Sequence, residues 1–191
     1  MEYKKLKESL EELVKSYCQK ECNFFGYEIW THHIVIVQHF AVMLAKKLDA
    51  NIEVVEIASL LHDFASIKDQ NMYPDHHIHG AREAEIILKQ YNYPTDKINM
   101  IKQCIVEHRG SVLSQHSSIE SECLASADAM SHIDQLTSLL HLAYVKRNMG
   151  VVEGADWTWK KIERSWAKLC PEAQIIIKNK YLLAKDLLDH N

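Results

Sequence analysis

The chain has 191 residues, 47% of them hydrophobic, with 22 basic and 26 acidic side chains and a net charge of −4. These values exclude a disordered acidic tail, a low-complexity scaffold and a protein that holds nucleic acid through bulk positive charge. Five glycines and three prolines are too few for the turns of a sandwich or barrel, so long helices are expected.

Helical periodicity runs through most of the chain. Residues 3–21 place Leu6, Leu10, Leu13, Val14 and Tyr17 on one stripe, which predicts an amphipathic opening helix. Thr31 is a candidate cap for a second helix over 32–49. A third, over 52–63, is apolar on most sides and belongs at the centre of the fold. A loop containing Pro74 is expected over 64–75, then helices over 77–91 and 95–108 joined by the turn Tyr91-Asn92-Tyr93-Pro94. After a polar loop at 110–117, a long helix is expected over 119–148. A glycine-containing break, Gly150–Asp156, separates it from helices over 156–169 and 171–189, the last with Pro171 at its first position. There is no repeat, linker or parallel-sheet signal. The reading is an all-α protein forming a single domain over 1–191.

No stretch reaches the roughly 18–20 apolar residues of a membrane span. The N-terminal residues mix both charge signs and lack a signal-peptide core. Five cysteines (Cys18, Cys22, Cys104, Cys123, Cys170) form no CxxC pair, and their odd number fits reduced thiols and a cytoplasmic location. Cys18 and Cys22 share a helix face, but no second pair completes a metal site with them.

Twelve histidines stand out. His33 opens the second predicted helix, His62 and Asp63 end the third, His76, His77 and His79 crowd the start of the fourth, and His108 ends the fifth. Asp128 lies inside Ala125-Ser126-Ala127-Asp128-Ala129-Met130, where small apolar neighbours imply burial. A buried carboxylate is costly unless paired or bound to a cation, and the His62-Asp63 dyad after an apolar run poses the same problem. Imidazole with carboxylate suits divalent iron, manganese, zinc, cobalt or nickel better than calcium.

The order His33 … His62-Asp63 … Asp128 resembles the HD-domain metal-dependent phosphohydrolases. His33-Ile34-x-x-Val37 with Leu44-Ala45 looks like the first-ligand helix of that family, and Ile57-Ala58-Ser59-Leu60-Leu61-His62-Asp63 looks like its dyad helix. His76-x-x-x-Gly80-Ala81 resembles the HxxxGA element of dinuclear members. Cys104-Ile105-x-x-His108-Arg109-Gly110-Ser111 is similar to the I-x-x-H-R-G-S segment of small stand-alone members, and Ser126-Ala127-Asp128-Ala129-Met130 to the closing aspartate motif. The resemblance covers about residues 30–135, the expected HD core of a helical bundle, with C-terminal helices from about 136 to 191 packed on it. One departure is that many members continue the dyad as H-D-I-G-K, whereas this chain reads His62-Asp63-Phe64-Ala65-Ser66 and its nearest lysine is Lys68.

The resemblance implies one metal on His33, His62, Asp63 and Asp128, and a second on Asp63, His76 and His108. Two cations roughly 3.5–4 Å apart would share a water and lower its pKa from ~15.7 towards neutrality, giving a hydroxide that attacks phosphorus in line. A site with only the first set filled would be a single-metal hydrolase. His32 lies about 100° round the helix from His33 and is read as surface. By spacing His76 is the ligand; His79, on nearly the same face, is its fallback, and otherwise a donor of a proton to the leaving oxygen. Arg109 is the leading phosphate clamp, with Lys68 and Arg82 behind it, each alternatively a solvated charge. His39, His116, His132, His141 and His190 match no motif and are read as structural.

The expected substrate is a nucleotide or other small phosphate ester. Some six-ligand members of this fold resemble the set and use di-iron to activate dioxygen, so an oxygenase is the alternative, with a non-catalytic metal-binding module third. Helical proteins of this kind often self-associate, which allows a homo-oligomer. Tyr144, Lys146 and Arg147, with Trp157 and Trp159, are placed either to stack a base and hold phosphate or to form an ordinary amphipathic helix pair.

Overall fold

The computed structural model describes residues 3–109 and 116–189. Gly110 and Ser111 of the segment after His108, most of the predicted polar loop, and His190 lie outside the described residues. The described chain is helical and contains no β-strand, in agreement with the all-α reading.

The opening helix α1 spans Tyr3–Cys18 and buries Leu6, Leu10, Val14 and Cys18 against the centre of the bundle. Thr31 caps nothing. A π-helical turn, Trp30–Ile34, runs directly into α2, Val35–Lys47, and the Thr31 hydroxyl donates to Glu28 O instead. The following helix, α3 (Ile52–Leu61), starts where Asn51 Oδ1 accepts the Val54 amide at 3.2 Å. Its residues from Val54 to Leu61 are all buried, as continuous apolar patterning requires.

The predicted loop at 64–75 is helical too: α4 over Phe64–Lys68, then a 3-10 segment over Gln70–Asp75. The reason is burial, because Phe64, Ala65, Ser66 and Ile67 all point into the core and an irregular backbone there would leave amides unpaired. Next come α5 (His76–Gln90) and α6 (Thr95–Glu107), which pack together. Gly80 permits close approach here: a Cβ would lie 3.0 Å from His62 O and 3.2 Å from Ile105 Cγ2. It therefore brings the start of α5 against the end of α3.

The predicted 30-residue helix breaks into α7 (Ile119–Asp134) and α8 (Leu136–His141), followed by a π turn, Leu142–Lys146. The break falls at Gln135, whose ψ of 50° leaves the helical region. Ser118 caps α7 by accepting the Ser121 amide. The supposed glycine break is mostly helix: α9 runs over Val151–Lys168 with Gly150 as its N-cap. Gly154 lies inside it because the Tyr144 ring occupies the space a Cβ would need. Finally α10, Pro171–Leu188, begins on proline and packs on α7 and α9. Helix α7 thus touches α2, α3, α6, α9 and α10, which makes it the axis of the bundle. No helix among the described residues is long and apolar enough to cross a membrane.

Candidate metal centre

Helix ends deliver the histidines. Where a helix stops, its last carbonyls lack an amide partner. His62 follows α3 and donates its Nδ1–H to Ser59 O at 2.8 Å; His108 follows α6 and donates to Ile105 O at 2.6 Å. His76 opens α5 and donates to Tyr73 O, at 2.9 Å, in the preceding 3-10 segment. In all three the acceptor is three residues upstream. The Nδ1–H of His33 goes to Ser131 Oγ at 2.9 Å, and that hydroxyl in turn donates to Asp128 O at 2.7 Å. With each Nδ1 spent, four Nε2 lone pairs point inward. This is the orientation by outer partners that metal-binding imidazoles show.

The inward atoms form two pairs, His33 Nε2 with His62 Nε2 at 3.2 Å and His76 Nε2 with His108 Nε2 at 3.1 Å. Asp63, between α3 and α4 and free of any capping bond, lies between them. Its Oδ2 is 3.2 Å from His33 Nε2 and 3.6 Å from His62 Nε2, while its Oδ1 is 3.6 Å from His76 Nε2. One carboxylate oxygen therefore faces each pair. Asp128 Oδ1 approaches the first pair, 3.6 Å from His33 and 4.0 Å from His62. Three groups, His33/His62/Asp63, Asp63/His76/His108 and His33/Asp128/His132, each bring their donor atoms within 4.8 Å of one another.

Chemically, the donor set fits a metal. Two unprotonated imidazole nitrogens 3.1–3.2 Å apart cannot hydrogen-bond each other. Cations beside them would satisfy four lone pairs, the buried carboxylate of Asp128 and the half-buried one of Asp63 together. Mixed nitrogen and oxygen donors select transition metals.

Burial would raise the carboxyl of Asp63, yet His62, His33 and His76 around it hold it well below the usual carboxylate range. Asp128 behaves alike: burial would raise it, but Lys168, His132 and His33 take it well below. Burial drives His62 down and His108 and His132 well down, so these imidazoles stay neutral, the form that binds metal. The unfolded chain accepts protons near pH 6.5 that the fold refuses. Stability present above pH 6.5 is thus lost as pH falls towards the folded values, and the two aspartates add a further loss below 3.8. The melting temperature of chelator-treated protein should fall from pH 7.5 to pH 5; a flat profile over that range would refute the assignment.

A family model, the HD domain, matches residues 30–133. The chain belongs to the HD domain family. Membership supports a hydrolase of the metal-dependent phosphohydrolase type. The HD domain here is also 32% identical, over 107 residues, to Ribonuclease Y of Symbiobacterium thermophilum. That alignment covers 56% of this chain and 19% of the relative, so the chain spans about a fifth of the curated relatives it matches. Several solved structures share the fold. A predicted HD superfamily hydrolase from an uncultured Thermotogales bacterium has a TM-score of 0.65 at 16% identity, covering 95% of this chain and 88% of the other. Bacillus subtilis YpgQ, crystallised in complex with ADP, has a TM-score of 0.65 at 15% identity, with 94% of each chain covered.

The cluster lies on the wall of a cavity of about 1170 Å³. Arg109 lines it, held by Pro74 O, with His77 Nδ1 at 3.5 Å and Asp75 at 3.7 Å. Lys68 does not reach in. Both Glu83 oxygens capture its ammonium at 2.9 Å and hold it on α5, which corrects the expectation of a phosphate-binding lysine there. His79 is not among the residues that line the cavity or that group as metal donors, whereas His76 is among both. Exposed Arg82 is likewise absent from the lining, and His32, exposed, bonds Thr31.

Two residues escaped the sequence reading. His132, four residues after Asp128 on the same face, places Nε2 3.7 Å from Asp128 Oδ1 and stacks on His33 at 16° between ring planes. Its Nδ1 lies 3.2 Å from the Ser165 hydroxyl of α9. Lys168, in the last turn of α9, donates to Asp128 Oδ2 at 2.7 Å and to His108 O at 2.6 Å. The spacing of His132 from Asp128 was a usable signal. For Lys168, 40 residues from its partner, there was none.

Proposed function

We propose that this HD domain is a dinuclear phosphohydrolase acting on a nucleotide or other small phosphate ester. One observation carries the reading: Asp63 presents one carboxylate oxygen to each of two histidine pairs on a cavity wall. His33, His62, Asp63 and Asp128 would hold one ion, and Asp63, His76 and His108 the other. Such ions, when bound, supply the Lewis acidity that lowers the pKa of a shared water and neutralises charge building on phosphoryl oxygens.

The protein's own part is preorganisation. Backbone carbonyls fix three imidazoles and Ser131 fixes the fourth, so no ligand must reorient as charge develops. Lys168 occupies Asp128 Oδ2 and leaves Oδ1 facing the first histidine pair. Arg109, tied to Pro74 O at the mouth, is the nearest guanidinium to the second pair's segment and is assigned to the phosphate. The complex of the structural neighbour YpgQ with ADP supports a nucleotide substrate.

The test is a screen of nucleotides and phosphate esters with manganese under anaerobic conditions. Hydrolysis without dioxygen is expected. Turnover that requires both iron and dioxygen would replace this reading with the oxygenase one.

A further inference from the structure

We propose that Lys146, Arg147, Lys161 and Arg164 form a second anion subsite, in the same cavity as the histidine–aspartate cluster, which takes another phosphate of the same substrate. The proposal rests on the phosphohydrolase reading and narrows it to ligands with two or more linked phosphates.

All four side chains line the cavity. Lys161 and Arg164 stand three residues apart on one face of α9, while Lys146 and Arg147 close the π turn after α8. None of the four forms an ion pair among the described residues. Other cations without an ion pair, such as Arg82, Lys160 and Lys178, are exposed and scattered, whereas these four gather on one cavity. Lys161 is half-buried, so holding its charge there costs free energy that an anion in the cavity would offset. Arg147 is held ready, its guanidinium 4.6 Å from the centre of the Trp157 ring. Of the aromatic residues singled out in the sequence, Trp157 lines the cavity. Trp159 stacks on Tyr181 in the core, and Tyr144 donates to Val151 O.

Charge and size point to the ligand. The cavity carries six cations against four carboxylates, in a chain whose net charge is −4. Any metal at the cluster adds to that excess. A cavity of about 1170 Å³ is far larger than a single phosphate ester fills. The excess gathers in one cavity, so a compact polyphosphate fits it better than a nucleic-acid strand.

Calorimetric titration of the full chain, as purified, with inorganic tripolyphosphate and with orthophosphate tests this. Wild type should bind tripolyphosphate at least about tenfold more tightly than orthophosphate. The double variant Lys161→Met/Arg164→Met should lose about tenfold or more in tripolyphosphate affinity and less than about twofold for orthophosphate, with Lys161→Arg close to wild type. Equal affinities in wild type, equal losses for both anions, or tighter binding of a short RNA oligonucleotide would overturn the subsite. Hydrolysis of monoesters by a protein indifferent to tripolyphosphate would remove the subsite and leave the phosphohydrolase reading. Tripolyphosphate binding of the expected pattern without hydrolysis of any ester would do the reverse.

Discussion

Asp63→Ala is expected to strip metal from the protein and abolish phosphate-ester hydrolysis. Its two oxygens face two different histidine pairs, so one substitution removes a donor from both proposed ions. Losing a mere outer partner of a ligand typically costs 10–100-fold in metal affinity or activity. A carboxylate shared by both ions should exceed that range, with activity falling by at least about a hundredfold. Metal analysis of wild type and variant, purified in parallel without added metal, reads the first effect, and initial rates read the second. A variant with wild-type metal content and rate would remove Asp63 from the centre.

Lys168→Met should destabilise the metal-free protein by about 3–5 kcal/mol, the usual cost of deleting one partner of a buried ion pair. Side-chain exposures of 13% for Lys168 and 10% for Asp128 place the pair in that class. Methionine keeps most of the apolar stem, so the loss reports the missing ammonium and the two bonds it donates. Lys180→Met is the control: Lys180 also pairs with a carboxylate, Asp134, but is 55% exposed, and its loss should cost less than about 1 kcal/mol. Urea unfolding of both variants in chelator separates the two cases. Equal, small effects would show that Lys168 does not support Asp128.

What could be read from the sequence was whatever depends on neighbours a few residues apart. Pro171 opening the last helix and the all-α class follow from local backbone chemistry. His33, His62, His76 and His108 stand out through the motifs that resemble the family; His62, His76 and His108 have rings held by a carbonyl three residues upstream, while the ring of His33 is held by distant Ser131. Local rules failed where tertiary burial decides the outcome. The apolar residues Phe64, Ala65 and Ile67 make a helix of a stretch that Pro74 marks as a loop. Gly154 looks like a break but is required by the Tyr144 ring beneath α9. Lys68 is the nearest lysine to the dyad in the chain, yet Glu83 holds it while Lys168 arrives from a helix that begins beyond the matched family segment. The part of the cavity built by α9 was therefore the least legible, since nothing near Lys161 or Lys168 in the chain announces the aspartate they approach.

The most direct test of a metal-dependent phosphohydrolase is metal content and hydrolytic rate measured on one preparation, before and after chelation. One to two transition-metal ions per chain are expected, with hydrolysis lost on chelation and restored by a divalent transition metal. Metal-free protein that retains its full hydrolytic rate would contradict the account.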